Sequence, residues 1–146
     1  MAEKRFLIVA VDLGDTAPGA VFRTIIKSLS KYADIDVVSC GEIYPAASAG
    51  FPMEKAYFHG NTKTDSDIRF AIENGVGCFV IDNEEEMLAL NNIAGEMGVT
   101  QKALLRVTPG IDPHTHKKIS TGSVESKFGI AIETGQAKET VEKLLK

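Results

Sequence analysis

Short apolar runs rich in Val, Ile and Phe recur along the chain at 5–11, 35–39, 56–59, 78–82 and 103–107. Each is continuous rather than alternating, which predicts strands of a parallel sheet covered on both faces. Stretches with helical spacing lie between them. In 18–32 the apolar positions Val21, Phe22, Ile25, Ile26 and Leu29 share one face, and Pro18 suits a first helical turn. The stretch 65–74 carries Ile68, Ala71 and Ile72, with Thr64 as its cap and Gly75 as its stop. In 84–97 the apolar set is Met87, Leu88, Leu90, Ile93, Ala94 and Met97, with three glutamates at the positive end and Gly98 just past it. A last helix is predicted over 133–146, where Val141, Leu144 and Leu145 carry the apolar face. The weakest helix is 41–50, because Pro45 fits only a first turn and Gly50 closes the segment.

Repeated β-α units predict one α/β domain with right-handed crossovers. A closed eight-stranded barrel takes ~250 residues, more than the 146 here. The preferred architecture is therefore a three-layer open parallel five-stranded sheet, flavodoxin-like or Rossmann-like. The alternative is a half (β/α) barrel that hides its open edges by pairing with a copy of itself. Strand order separates them: 2-1-3-4-5 for the open fold, 1-2-3-4-5 for the half-barrel. The segment 108–132 holds Pro109, Gly110, Pro113, Gly122 and Gly129 without periodicity, as functional or disordered loops do.

A net charge of −4 and a pI near 5.4 argue against a nucleic-acid partner, which requires a basic face. The apolar run from Phe6 to Val11 ends at Asp12, too short for a signal-peptide core or a membrane span. A cytoplasmic setting is expected, with Cys40 and Cys78 as reduced, buried thiols. An open sheet edge would favour a homodimer.

Several residues could carry chemistry, each with an ordinary alternative. The Gly14–Gly19 loop joins a strand to a helix and could hold a small phosphorylated ligand on backbone amides, but it lacks the GxGxxG and P-loop spacings and contains Asp15. A plain β-α turn is the other reading. His114 and His116 could join His59 at a metal, or be solvated loop residues. Asp12, Asp15 and Asp36 could hold a divalent cation, or be strand-end caps. Lys63 could form an imine with an aldehyde ligand, although a solvated surface lysine is the expectation. Cys78 belongs to the core.

One long block of sequence resembles a known family. It comprises Asp36-Val37-Val38-Ser39-Cys40-Gly41-Glu42-Ile43-Tyr44, Ala49-Gly50-Phe51-Pro52, His59-Gly60-Asn61-Thr62-Lys63, Leu105-Arg106-Val107-Thr108-Pro109-Gly110, His114-Thr115-His116, Ile119-Ser120-Thr121-Gly122 and Ser126-Lys127-Phe128-Gly129. In order and spacing, from about residue 35 to about 131, this is similar to diaminopimelate decarboxylase. The resemblance implies a pyridoxal-phosphate barrel of the alanine-racemase type and a C-terminal β domain. It implies that Asp36 is a carboxylate near the Schiff-base lysine, that His59 and Asn61 flank the cofactor ring, and that Arg106 organises the polar network. The family's lysine motif has Val9-Ala10-Val11-Asp12 as its nearest counterpart, and a carboxylate cannot form an imine. Cys40 replaces a usual glycine, Pro45 sits in the following helix, and the family's later phosphate-loop segments would lie beyond Lys146.

Residues 1–32 instead resemble the first β-α unit of a Rossmann-like or glycosyltransferase domain. A join near 33–36 would make the chain a natural or engineered chimera, with 1–34 as an unrelated unit, 35–132 as the decarboxylase-like fragment and 133–146 as a closing helix. The expected function is a catalytically incomplete α/β domain with no cofactor held covalently. The alternatives are a decarboxylase fragment with weak cofactor or phosphate affinity, and a small phosphometabolite-binding module.

Overall fold

The structure, a computed structural model, describes residues 20–109 and 129–144. Its elements are α1 (Ala20–Leu29), β1 (Ile35–Val37), α2 (Cys40–Ser48), a 3-10 turn (Met53–Lys55), β2 (Ala56–Phe58), α3 (Asp65–Glu73), β3 (Cys78–Ile81), α4 (Glu84–Glu96), β4 (Lys102–Leu105), β5 (Val107–Thr108), β6 (Ile130–Ala131) and α5 (Gln136–Leu144). The apolar run 5–11 lies outside the described residues.

The capping residues start the helices where the sequence placed them. The Thr64 hydroxyl accepts from Asp67 N, and the Asp67 carboxylate accepts in return from Thr64 N, a reciprocal capping box. Asn83 caps α4 by accepting from Glu86 N at 2.8 Å. The helix containing Pro45 departs from expectation. It begins at Cys40, so Pro45 stands beyond the first turn, where it is buried and leaves one helical carbonyl without its usual donor.

All the pairings of the main sheet are parallel, in the order β1-β2-β3-β4. This corrects the preferred open architecture. The flavodoxin-like order would insert another strand between β1 and β2, and a Rossmann-like order would part β2 from β3, yet both pairs are directly hydrogen-bonded. Sequential order with right-handed crossovers sends successive helices to the same side, and α2 packs on α3 and α3 on α4.

That side holds the core. Val37, Phe58 and Phe79 form one cross-strand row, joined by Ile43, Ile68, Met87, Leu90 and Ile93 from the helices. The Phe58 and Phe79 rings are tilted at 58° with centroids 5.6 Å apart. The alternate row, Asp36, Tyr57, Cys78 and Lys102, faces the other way. The expectation that strands are covered on both faces is met at β3, which is buried throughout, although successive helices pack on one side, and is not met at β4, where Lys102, Ala103 and Leu104 are exposed. Cys78 is buried, as expected for an inner strand, and Cys40 is only half-buried; both are free thiols.

The C-terminal end of the sheet continues past β4. Arg106 N donates to Ile81 O, and Arg106 O accepts from Ile130 N, both at 2.9 Å. The Arg106 backbone thus links β3 to β6, and β6 pairs in parallel with β5 at a level beyond the end of β4. The ends of the aperiodic segment 108–132 are therefore strand-paired. Its residues 110–128 lie outside the described residues.

Candidate functional site

The C-terminal ends of β1, β2, β3 and β4 bring together a row of polar side chains. Asp36 lies within β1, His59 just past β2, Asp82 just past β3 and Arg106 just past β4. Side chains two residues apart on a strand share a face, so His59 follows Tyr57, Asp82 follows Val80 and Arg106 follows Leu104 on the face turned away from the helices. Parallel α/β folds place ligands at this end of the sheet.

The local geometry fixes His59 from two sides. Its backbone N–H donates to Val37 O at 2.7 Å, and its Nε2 lies 3.3 Å from Asp36 Oδ1. The ring is half-buried, while Asp36 is largely exposed. Gly60 follows with φ +106°, a conformation open to glycine and costly for most residues. Asn61 completes the turn.

Asp82 has the most unusual environment in the row. It is 4% exposed, and neither carboxylate oxygen has a hydrogen-bond partner. The Arg106 guanidinium lies 3.7 Å from Oδ2, close enough for charge attraction without a hydrogen bond. Burial pushes the Asp82 carboxyl above the usual carboxylate range, and Arg106, Lys63 and His59 pull it part of the way back. A carboxyl raised on folding favours the folded state most when protonated, below the unfolded pKa, and that advantage is lost as the pH rises through the folded pKa. Asp82→Asn should therefore raise the melting temperature near neutral pH by roughly 3 °C, or about 1 kcal/mol, with the gap closing toward pH ~4. Thermal melts across that range check this; a lower melting temperature for Asp82→Asn at neutral pH would contradict it.

Lys63 is not the solvated lysine expected from the sequence. Its side chain is 2% exposed, and its ammonium donates to Gly60 O at 2.6 Å, Val80 O at 2.8 Å and Glu86 Oε1 at 2.6 Å. It also lies 5.3 Å from the centroid of the Phe58 ring. All three N–H groups are occupied, so attack on an aldehyde would first require breaking this arrangement. Cys40 is likewise held rather than reactive. Its thiol donates to Asp67 Oδ1 at 3.1 Å, and burial, followed by Asp67, pushes its pKa up to about 11.

Of the residues singled out in the sequence, the structure joins Asp36 to His59, places Asn61 beside them and puts Arg106 next to Asp82. Gly14, Gly19, Asp12, Asp15, His114 and His116 lie outside the described residues. Among the described residues no cluster of three His, Cys, Asp or Glu could hold a metal, and no helix is long and apolar enough to cross a membrane. Asp82 and Glu86 were missed. A carboxylate directly after the apolar run Cys78–Ile81 is the signal that could have identified Asp82.

Known proteins of similar sequence and structure fall in one family. Residues 21–146 match the profile of a family described as pyridoxal-dependent decarboxylase, pyridoxal binding domain, so the match takes in α1. The chain is 45% identical over 111 residues to a diaminopimelate decarboxylase of Bacillus subtilis, and 49% identical over 111 residues to one of Halalkalibacterium halodurans. Each alignment covers 76% of this chain and 25% of the relative. The chain thus spans about a quarter of the length of those curated relatives. Among solved structures, a diaminopimelate decarboxylase from M. jannaschii in complex with L-lysine superposes with a TM-score of 0.73 at 37% identity, over 85% of this chain and 29% of that one. A Helicobacter pylori diaminopimelate decarboxylase complexed with L-lysine gives 0.72 at 30% identity, over 81% and 30%.

Proposed function

The chain belongs to the family of pyridoxal-dependent decarboxylases, within its pyridoxal-binding domain, and from that premise we propose that its strand-end row is one wall of a pyridoxal phosphate pocket. The pocket would hold the cofactor without a covalent anchor, so this polypeptide alone would not decarboxylate an amino acid. The observation that carries the reading is the orphaned carboxylate of Asp82, buried beside Arg106 and in line with the Asp36–His59 contact. A buried acceptor lacking a donor is costly to keep and suits a site completed by a ligand. The residues present therefore fit one side of the cofactor. Asp36 would orient the His59 imidazole through Nε2, and Asp82 would fix the charge of Arg106 at the mouth.

When bound, pyridoxal phosphate supplies an electron sink for carbon-centred charge. The covalent anchor is what the chain does not provide. By the resemblance Asp12 is the nearest counterpart of the family's lysine, and Lys63 is locked by three acceptors. The sequential parallel order supports a half-barrel as the finer description of the fold. The exposed strand β4 is the edge on which a second copy or further barrel strands would pair. A chimera with its join near 33–36, as expected from the sequence, would have to place that join ahead of residue 21 instead, where the family match begins.

The test is titration of the purified chain with pyridoxal phosphate, read by the cofactor's induced circular dichroism. Saturable binding is expected, weakened by Arg106→Met, with no borohydride-stable adduct on Lys63 and no carbon dioxide released from meso-diaminopimelate. The absence of any binding would refute the pocket, whereas turnover would refute the missing anchor.

A further inference from the structure

We propose that Lys63 and Glu86 form a positioning pair that sets the placement of His59 relative to Asp82, rather than serving only as a stabilising contact. This rests on reading the strand-end row as a cofactor wall. The ammonium of Lys63 binds the carbonyl that follows His59, Gly60 O, and the carbonyl two residues before Asp82, Val80 O. Its third donor goes to Glu86 Oε1, and the other oxygen of Glu86 faces Asp82 N at 3.4 Å. One buried cation thus ties the end of β2 to the end of β3 and to the first turn of α4. Glu86 is fixed in turn, because its own N–H is taken by the Asn83 cap.

The segment it holds has little slack. His59 N is bonded to Val37 O, and a Cβ at Gly60 would lie 3.3 Å from Val38 O, so the turn is pressed against β1. The Lys63 ammonium provides the opposing restraint. Buried ion pairs can often be exchanged for apolar residues of similar volume without loss of stability. An apolar pair, however, cannot fix two carbonyl oxygens 2.6 and 2.8 Å from a common point. Placement, not stability, is therefore what distinguishes the native pair from its isosteres.

The decisive variant is the double replacement Lys63→Met/Glu86→Leu. In the native chain, Asp36→Asn should shift the His59 ring resonances, because the two side chains touch. In the double variant the melting temperature should fall much less than in Lys63→Met alone, the His59 resonances should no longer respond to Asp36→Asn, and pyridoxal phosphate affinity should fall about tenfold, the loss typical when groups that orient ligand-contacting residues are removed. Glu86→Gln, which keeps an acceptor for Lys63, should restore the His59 response. An unchanged His59 response in the folded double variant would overturn the proposal. If the double variant does not fold, Lys63→Gln/Glu86→Gln decides in the same way, since it leaves no charge unpaired and its shorter amide cannot span all three acceptors. Failure of the native chain to bind pyridoxal phosphate would remove the cofactor reading, while the resonance measurement would still decide the positioning role.

Discussion

Lys63→Met alone is expected to lower the unfolding free energy by about 3–5 kcal/mol, the usual loss when one partner of a buried ion pair is removed. Whole domains are stable by only about 5–15 kcal/mol, so this change should bring the chain close to unfolding. The cause is the charge left behind. Glu86 is 6% exposed, and burial already pushes its carboxyl above the usual range even with Lys63 bonded to it. Removing Lys63 removes the hydrogen bond and the charge that pull that carboxyl back, so its folded pKa rises further. Because a raised carboxyl favours folding when protonated and not when ionised, the loss should be largest at neutral and higher pH and should shrink as the pH falls through the raised folded pKa toward the ordinary glutamate value of about 4.3. A remainder should persist in acid, since Gly60 O and Val80 O also lose their donor. Urea unfolding near neutral pH and at about pH 4 measures both parts. A loss below about 1 kcal/mol at neutral pH, the scale of a surface pair, would mean that the ammonium is solvated.

That lysine also shows where sequence reading stops. A Lys five residues past β2, in a turn with glycine and asparagine, reads as solvated because no local pattern marks it otherwise. Its burial depends on three acceptors from Gly60, Val80 and Glu86, which come together only when β2, β3 and α4 are packed. By contrast α3 and α4 were readable, since Thr64 and Asn83 bond within their own first turns. Strand positions were readable for the same local reason. Strand order was not, because the periodicity of Ile35–Val37 is the same whichever strand lies beside it. Chain length favoured an open sheet, yet hydrogen bonding of β1 directly to β2 gives the sequential order. The short β6 escaped notice because Ile130-Ala131-Ile132 is too brief to register as a strand without its β5 partner.

The candidate site divides along the same line. Asp36, His59, Asn61 and Arg106 were found through their resemblance to a family motif. Glu86 becomes visible only through burial, and Asp82, marked in the sequence only by following an apolar run, shows its character there too, as a carboxylate whose surroundings are apolar or charged rather than wet. Together they account for how the His59 side of the row is built and why it is held at a cost in stability. A site that keeps an unsatisfied buried carboxylate is more strained than packing alone would produce.

Gly77→Ala is expected to cost about 3 kcal/mol, the upper end of what overpacking usually costs. A Cβ on residue 77 would lie 1.9 Å from Glu54 O and 2.5 Å from Glu54 C, inside the van der Waals limit of both atoms. The obstacle is backbone, so no side-chain rotation relieves it. Nor can the segment simply back away, because Gly77 N donates to Met53 O at 2.9 Å and Gln101 Nε2 donates to both Val76 O and Gly77 O. Moving residue 77 would therefore break the bond that anchors the 3-10 turn to the start of β3 and loosen the bond from residue 101 just ahead of β4. β3 is the strand buried throughout its length, so the disturbance would enter the core at Phe79, which is fully buried against Phe58. The position tolerates no methyl group even though its backbone is not left-handed, so the need for glycine here is one of space, not of φ. Calorimetric melting of Gly77→Ala beside Gly75→Ala separates the two causes. Gly75 has φ +76° with nothing within 4 Å of its added Cβ, so its alanine should cost only the left-handed strain, about 1 kcal/mol. Equal losses at the two positions would show that β3 can shift to accept the methyl, and the close approach of Glu54 would then not be a constraint on the fold.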